Sequence, residues 1–96
     1  MDYKVTFAQN AVKELTEIVT FVARDNPQAA RQLGDKLLEQ AAGLRRFPNR
    51  YARYPHFSAI RKMPVPPYLI YYRINESKQQ VTILHFWHGT RQHPVL

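Results

Sequence analysis

The spacing of apolar residues changes period near residue 8, and that change limits the chain to a small set of folds. Tyr3-Lys4-Val5-Thr6-Phe7 alternates apolar and polar side chains, as a strand with one buried face must. From Ala11 the spacing is helical: Ala11, Val12, Leu15, Ile18, Val19 and Val22 fall on one stripe. Asp25-Asn26-Pro27 ends that helix, because proline disfavours helix in the residue before it and suits the first turn of the next. Asn26 is placed to cap the second helix, whose stripe is Ala30, Leu33, Leu37, Ala41 and Leu44, out to about Phe47. Two such helices joined by a short turn make an antiparallel hairpin.

Pro48 stops the second helix, and an arginine- and tyrosine-rich loop is expected over 47–57. Three strands should follow. Ser58–Met63 is short, with Pro64, Pro66 and Pro67 marking its end or a connecting loop. Tyr68–Ile74 is apolar on both faces, as a central strand is. Asn75–Lys78 reads as a turn, Gln80–Trp87 as the last strand, and Gly89 and Pro94 as breakers in the tail. The order β-α-α-β-β-β predicts an α+β fold in a single domain over residues 1–96, a helical hairpin on one face of a small, mainly antiparallel sheet. No element remains to cover the other face, so its side chains are expected to be exposed. Ile70, Tyr72 and Ile74 alternate with Leu69, Tyr71 and Arg73, which places Tyr71 and Arg73 on that open face. Tyr72 and Trp87 read as sheet packing.

Charge points to an anionic partner. The chain carries +7, yet residues 1–26 hold three cations against four acids, so the excess lies beyond them. No acid occurs from Gln40 to Asn75, a window holding Arg45, Arg46, Arg50, Arg53, Arg61, Lys62 and Arg73. Such a field favours nucleic acid, an acidic protein segment or a membrane surface over a neutral ligand. Arg45, Arg46, Arg50 and Arg53 are too scattered for a phosphate-binding loop, and no Gly-rich motif is present. They suit an acidic peptide as well as a nucleic acid.

The absence of cysteine excludes disulfides, thiolate metal sites and a cysteine nucleophile together. His85 and His88 lie three apart on a strand and so point to opposite faces, and no carboxylate is near them in sequence. No metal and no cofactor is expected. General acid–base work by His88 or His93 fits better than a metal, since imidazole titrates near neutrality, but a histidine packed beside Trp87 with one hydrogen bond is the favoured reading. No run of 18 apolar residues exists, and the start lacks a signal-peptide layout, so no membrane association and a cytoplasmic location are expected.

The chain resembles the ParE/RelE family of type II toxins over essentially its whole length. The resemblance rests on the element order, on Val5-Thr6-Phe7 leading into Ala11–Leu15–Ile18, and on Leu44-Arg45-Arg46-Phe47-Pro48 closing the hairpin. Its most specific part is Tyr71-Tyr72-Arg73-Ile74, a turn, then Val81-Thr82-Ile83-Leu84 running into His88-Gly89-Thr90-Arg91. The resemblance implies a toxin held silent by a cognate antitoxin, as in plasmid stabilisation, and the family offers two activities.

RelE-like members cleave messenger RNA on the ribosome, with cations from the second and third strands and a cation or aromatic near the C-terminus. If this chain were such an enzyme, Arg61, Lys62, Arg73, His88 and Arg91 would carry the chemistry. The third-strand arginine position, however, reads Leu69, and no tyrosine follows Tyr72. ParE-like members inhibit DNA gyrase and have no catalytic site, which is the favoured reading. On it, Tyr71, Arg73, His88, Arg91 and His93 would contact the target. Arg45, Arg46, Arg50 and Arg53 would contact an antitoxin segment that is acidic and partly helical. A small basic nucleic-acid-binding module is the third reading. The tail Gly89–Leu96 is expected to be exposed and dispensable for folding.

Overall fold

The computed structural model describes residues 2–96. In chain order it has β1 (Lys4–Phe7), α1 (Gln9–Ala23), α2 (Pro27–Ala42), β2 (Arg53–Tyr54), β3 (Phe57–Val65), β4 (Tyr68–Asn75) and β5 (Gln80–His88), with 3-10 turns at Gly43–Arg45 and Pro48–Arg50. The strands form one sheet in the order β1-β5-β4-β3-β2. β1 runs parallel to β5 and every other pairing is antiparallel. The α+β order read from the sequence therefore holds, with one short strand added inside the expected loop.

The Asn26 side chain caps α2 by accepting the Ala29 N–H at 3.0 Å, and Pro27 occupies its first turn. α2 ends at Ala42 and not near Phe47. Leu44 still reaches the core, but from the 3-10 turn. Arg46 is extended and Phe47 left-handed (φ 51°), which takes the chain off the helix axis before Pro48. Gly34 lies against α1: a Cβ there would sit 3.2 Å from a Val19 methyl. β3 is longer than Ser58–Met63 and includes Pro64. Proline is tolerated there because β2 pairs only near Arg61 and Phe57, leaving the outer edge of β3 open at Pro64.

The main core lies between hairpin and sheet. Leu37, Ala41, Leu44, Ile70, Tyr72, Val81, Ile83 and Phe86 are buried there, and Leu15 and Leu33 pack against them. The Tyr72 hydroxyl donates to the Pro48 carbonyl at 2.5 Å, tying the loop after α2 to the sheet. Arg61, its cross-strand partner, donates to the carbonyls of Asn49 at 3.1 Å and Tyr51 at 2.7 Å, so it holds the same loop.

Burial pushes the Tyr72 phenol up to about 12, against the opposing pull of Arg61. A pKa raised on folding gives stability that is complete below the unfolded value near 10 and is lost as pH climbs through the folded one. Urea unfolding should thus show a loss on the order of 2–3 kcal/mol between about pH 10 and pH 12. Tyr72→Phe should flatten most of that loss, leaving a remainder from Tyr71, which burial also raises. At pH 7 the same variant should cost about 1–3 kcal/mol, because the buried Pro48 carbonyl loses its donor. An unchanged alkaline slope in Tyr72→Phe would assign the loss to other groups.

β5 carries a bulge. Tyr72 pairs with Ile83 and Tyr71 with His85, so Leu84 has no opposite number. Val81 and Ile83 face the helices before the bulge and Phe86 after it. Leu84, His85 and Trp87 face the other way.

Candidate functional site

The sheet face away from the helices is not open. Tyr54, Ile60 and Tyr71 are buried on it in a second apolar cluster, with Leu69, Leu84, Trp87 and Leu96 packed around them. The expectation of an uncovered face fails because the tail folds back. Gly89 N–H bonds the Pro67 carbonyl at 2.8 Å, and Trp87 Nε1–H donates to the Gln92 carbonyl at 2.5 Å. Pro94 is fully buried and Leu96 joins the cluster. The His93 ring lies 5.7 Å from Tyr54 and 5.5 Å from His56. Tyr71, at 2% exposure, is therefore a packing residue and not a surface contact. The tail is likewise part of the structure and not a free extension.

Glu14 went unnoticed in the sequence. Its carboxylate lies 2.9–3.0 Å from His85 Nδ1 and accepts the Phe86 N–H at 3.2 Å. β1 stops at Phe7, paired with Ile83, so the edge of β5 beyond that point has no strand beside it. The side chain of Glu14 takes the place of the missing strand. A carboxylate only accepts, so the His85 proton lies on Nδ1. This corrects the expectation that no carboxylate approaches the histidines. The signal was present: Glu14 sits inside the Ala11–Leu15–Ile18 stripe, where a charge needs a partner. Among the described residues no three His, Cys, Asp or Glu side chains gather as a metal site would require.

The expected cations separate into distinct places. Arg91 stacks its guanidinium 4.3 Å above the Trp87 ring. With His88, Glu14 and Glu17 it lines a cavity of about 280 Å³ between the start of the tail and α1. His88 Nδ1 accepts from the Thr90 hydroxyl at 2.7 Å, and its ring meets Tyr68 edge-on. Arg73 is far from this corner: it pairs with Thr82, six residues before His88 on β5, which is roughly 15–20 Å along the strand. Arg73 lines instead a second cavity with Arg53 and Arg61.

Lys62 lies over the Tyr54 ring at 5.6 Å on the tail-covered face, whereas Arg61 points to the helix side and is tied to loop carbonyls. The five residues that RNA cleavage would need thus do not converge. Arg45 and Arg46 both reach Asp2, at 3.5 and 3.7 Å, and remain more than half exposed. Arg50 stacks on Tyr51 at 5.0 Å.

Solved structures with this fold include the chromosomal ParDE toxin–antitoxin system of P. aeruginosa (TM-score 0.78, 18% identity, covering 90% of this chain and 95% of that one). They also include the toxin–antitoxin complex RelBE2 of Mycobacterium tuberculosis (0.72, 23%, 92% of each). The isolated RelE toxin of E. coli superposes less closely (0.61, 18%, 94% and 87%). At these identities the likeness is one of fold. No curated protein sequence matches significantly. A family model, the ParE toxin of type II toxin–antitoxin systems (parDE), matches residues 5–93, and with the hairpin-on-sheet architecture it settles membership: the chain belongs to the ParE toxin family.

Proposed function

We propose that residues 1–96 act as one ParE-like toxin domain that binds and inhibits DNA gyrase in the cytoplasm and is neutralised by a cognate antitoxin. The observation that carries this reading is the closed sheet face. The RelE-like reading needs free cations from one strand and an arginine at the start of the next; here Lys62 lies over the Tyr54 ring, Leu69 stands at the arginine position, and Ile60, Leu69, Tyr71 and Leu84 form an apolar cluster with the tail laid over it. His85 is engaged by Glu14, and Arg61 by backbone carbonyls. What remains is a surface suited to binding: His88, Arg91 and His93 stand around the tail, and we assign the target contact to them.

The antitoxin reading rests on family membership and on relatives solved as toxin–antitoxin complexes. Arg45, Arg46 and Arg50 supply exposed positive charge at one end of the hairpin, and an acidic, partly helical segment would complement it.

The test pairs two assays on the purified chain. Supercoiling by gyrase should fall, and cleaved DNA should accumulate, at toxin concentrations that leave ribosome-bound messenger RNA uncut. Arg91→Ala should weaken the inhibition without unfolding the protein. Codon-dependent RNA cleavage with gyrase unaffected would replace this reading by the RelE-like one.

A further inference from the structure

Phe47 is 75% exposed and stands on a left-handed backbone (φ 51°). Bulky side chains seldom adopt that conformation, and glycine or asparagine would make the same turn more easily. Packing does not offset the strain, since the ring belongs to neither apolar cluster. The backbone beneath it is nevertheless fixed. Pro48 is fully buried, its carbonyl accepts the Tyr72 hydroxyl, and the Phe47 carbonyl accepts the Arg50 N–H at 3.2 Å. A large apolar ring is thus held toward solvent on a rigid support, as a preorganised binding anchor would be.

Phe47 lines an open cavity of about 400 Å³ together with Asp2, Tyr3, Arg46, Pro48 and Asn49. Arg45, Arg46 and Arg50 are exposed around it. One carboxylate already sits between two of them: Asp2 Oδ2 lies 3.5 Å from Arg45 and Oδ1 3.7 Å from Arg46. The arginine pair therefore accepts a carboxylate from one side of the cavity. Both contacts are long and solvent-exposed, so Asp2 is held weakly and a better-placed acid can displace it.

We propose that this corner binds an acidic peptide segment, with an apolar side chain of the segment set against Phe47 and a neighbouring carboxylate displacing Asp2 from Arg45 and Arg46. For the source of the segment the inference rests on the antitoxin reading. An apolar anchor beside cations suits such a segment, which places its own apolar groups next to its acids. A nucleic acid is the poorer fit. It would carry a charge on every nucleotide past Asp2 and past Glu76, which accepts the Tyr3 hydroxyl at 3.0 Å, whereas a peptide can set its acids on the arginines alone.

Fluorescence anisotropy of the purified chain tests it with three labelled probes at about 50 mM salt. They are a glutamate-rich peptide with one central phenylalanine, the same peptide with alanine there, and a single strand of oligothymidine. The wild type should bind the phenylalanine peptide about tenfold more tightly than the alanine one. Phe47→Asn keeps a residue suited to the left-handed turn and removes the ring. It should melt at or above the wild-type temperature, bind the phenylalanine peptide about tenfold more weakly and no longer distinguish the two peptides. Asp2→Asn removes the internal competitor and should tighten peptide binding about two- to fivefold. Phe21→Ala, which removes an exposed ring on α1, should stay within about twofold. Equal affinity for the two peptides, or peptide binding unchanged in Phe47→Asn, overturns the proposal. So does oligothymidine binding that depends on Phe47 where neither peptide binds, since the ring would then be a platform for bases. Failure of the peptides would leave the antitoxin reading standing, because co-purification of the two proteins tests that separately.

Discussion

Leu37→Ala lowers the unfolding free energy by about 2–5 kcal/mol, a large share of what a domain this size possesses. Leu37 has no exposed surface and stands on α2 where the hairpin meets Ile70, Tyr72 and Ile83. Alanine would remove the side chain from a site whose neighbours are held by backbone hydrogen bonds on both sides. β5 and β4 cannot close over the gap without breaking their ladder, and α2 is kept at its distance by the Gly34–Val19 contact. The cavity term should therefore persist, placing the loss in the upper half of that range. Leu38→Ala is the comparison: its side chain is exposed, and the shift should stay under about 1 kcal/mol. Denaturant titration of the two variants decides the matter. Similar midpoints for both would show that the stripe has been placed on the wrong side of the helix.

The helices were legible because a single period governs each, and Asn26-Pro27 punctuates the hairpin with a cap and a stop. The sheet order was legible only as a sequence of strands. Nothing local says that β1 lies parallel to β5, since that pairing joins residues more than seventy apart.

The bulge left a faint trace. The helix-facing apolar positions of β5 run Val81, Ile83, then Phe86, a skip of three where alternation demands two. Read without the bulge, Leu84 and His85 fall on opposite faces; with it they share one, and His85 comes within reach of Glu14.

The site was less legible than the fold. Alternation correctly put Leu69, Tyr71 and Arg73 on the face opposite the helices, but it says nothing about what covers that face. Arg73 is exposed on it and Tyr71 buried, because the tail crosses over Tyr71 and stops short of Arg73. Gly89 and Pro94 look like signs of a loose end. Gly89 serves instead for a close approach, where a Cβ would meet the Pro67 carbonyl at 3.1 Å, and Pro94 for burial. The placing of the arginines could not be read either: strand register sets Arg53 opposite Arg61 on the helix side and leaves Arg73 on the other face, which charge counting does not encode.

Deleting Gly89–Leu96 should destabilise the fold by about 2–4 kcal/mol, contrary to what a free tail would give. Three losses add to that figure. Leu96 leaves the second cluster and the buried Pro94 is removed, the Trp87 indole N–H loses the Gln92 carbonyl, and Tyr54 and Tyr71 become wetted. The uncovered face would be a contiguous apolar patch on a β-sheet, so the truncated chain should also self-associate as its concentration rises.

Toxicity lost on deletion would therefore not by itself identify a target contact, because a destabilised toxin is also an inactive one. Two point variants separate the causes. Leu96→Ala removes packing and leaves the charges, so it should share the stability loss in part and keep gyrase inhibition in proportion to the folded fraction. Arg91→Ala removes an exposed guanidinium whose contact within the chain is the Trp87 ring, at a cost to stability of about 1 kcal/mol or less. If the tail contacts the target through Arg91, inhibition should fall well beyond what that small loss of folded protein explains. Arg91→Lys should recover little of it where the contact is a two-pronged one. A tail-deleted chain that melts with the wild type would show that the tail does not hold the sheet face closed. An Arg91→Ala toxin of full potency would move the target contact away from the tail.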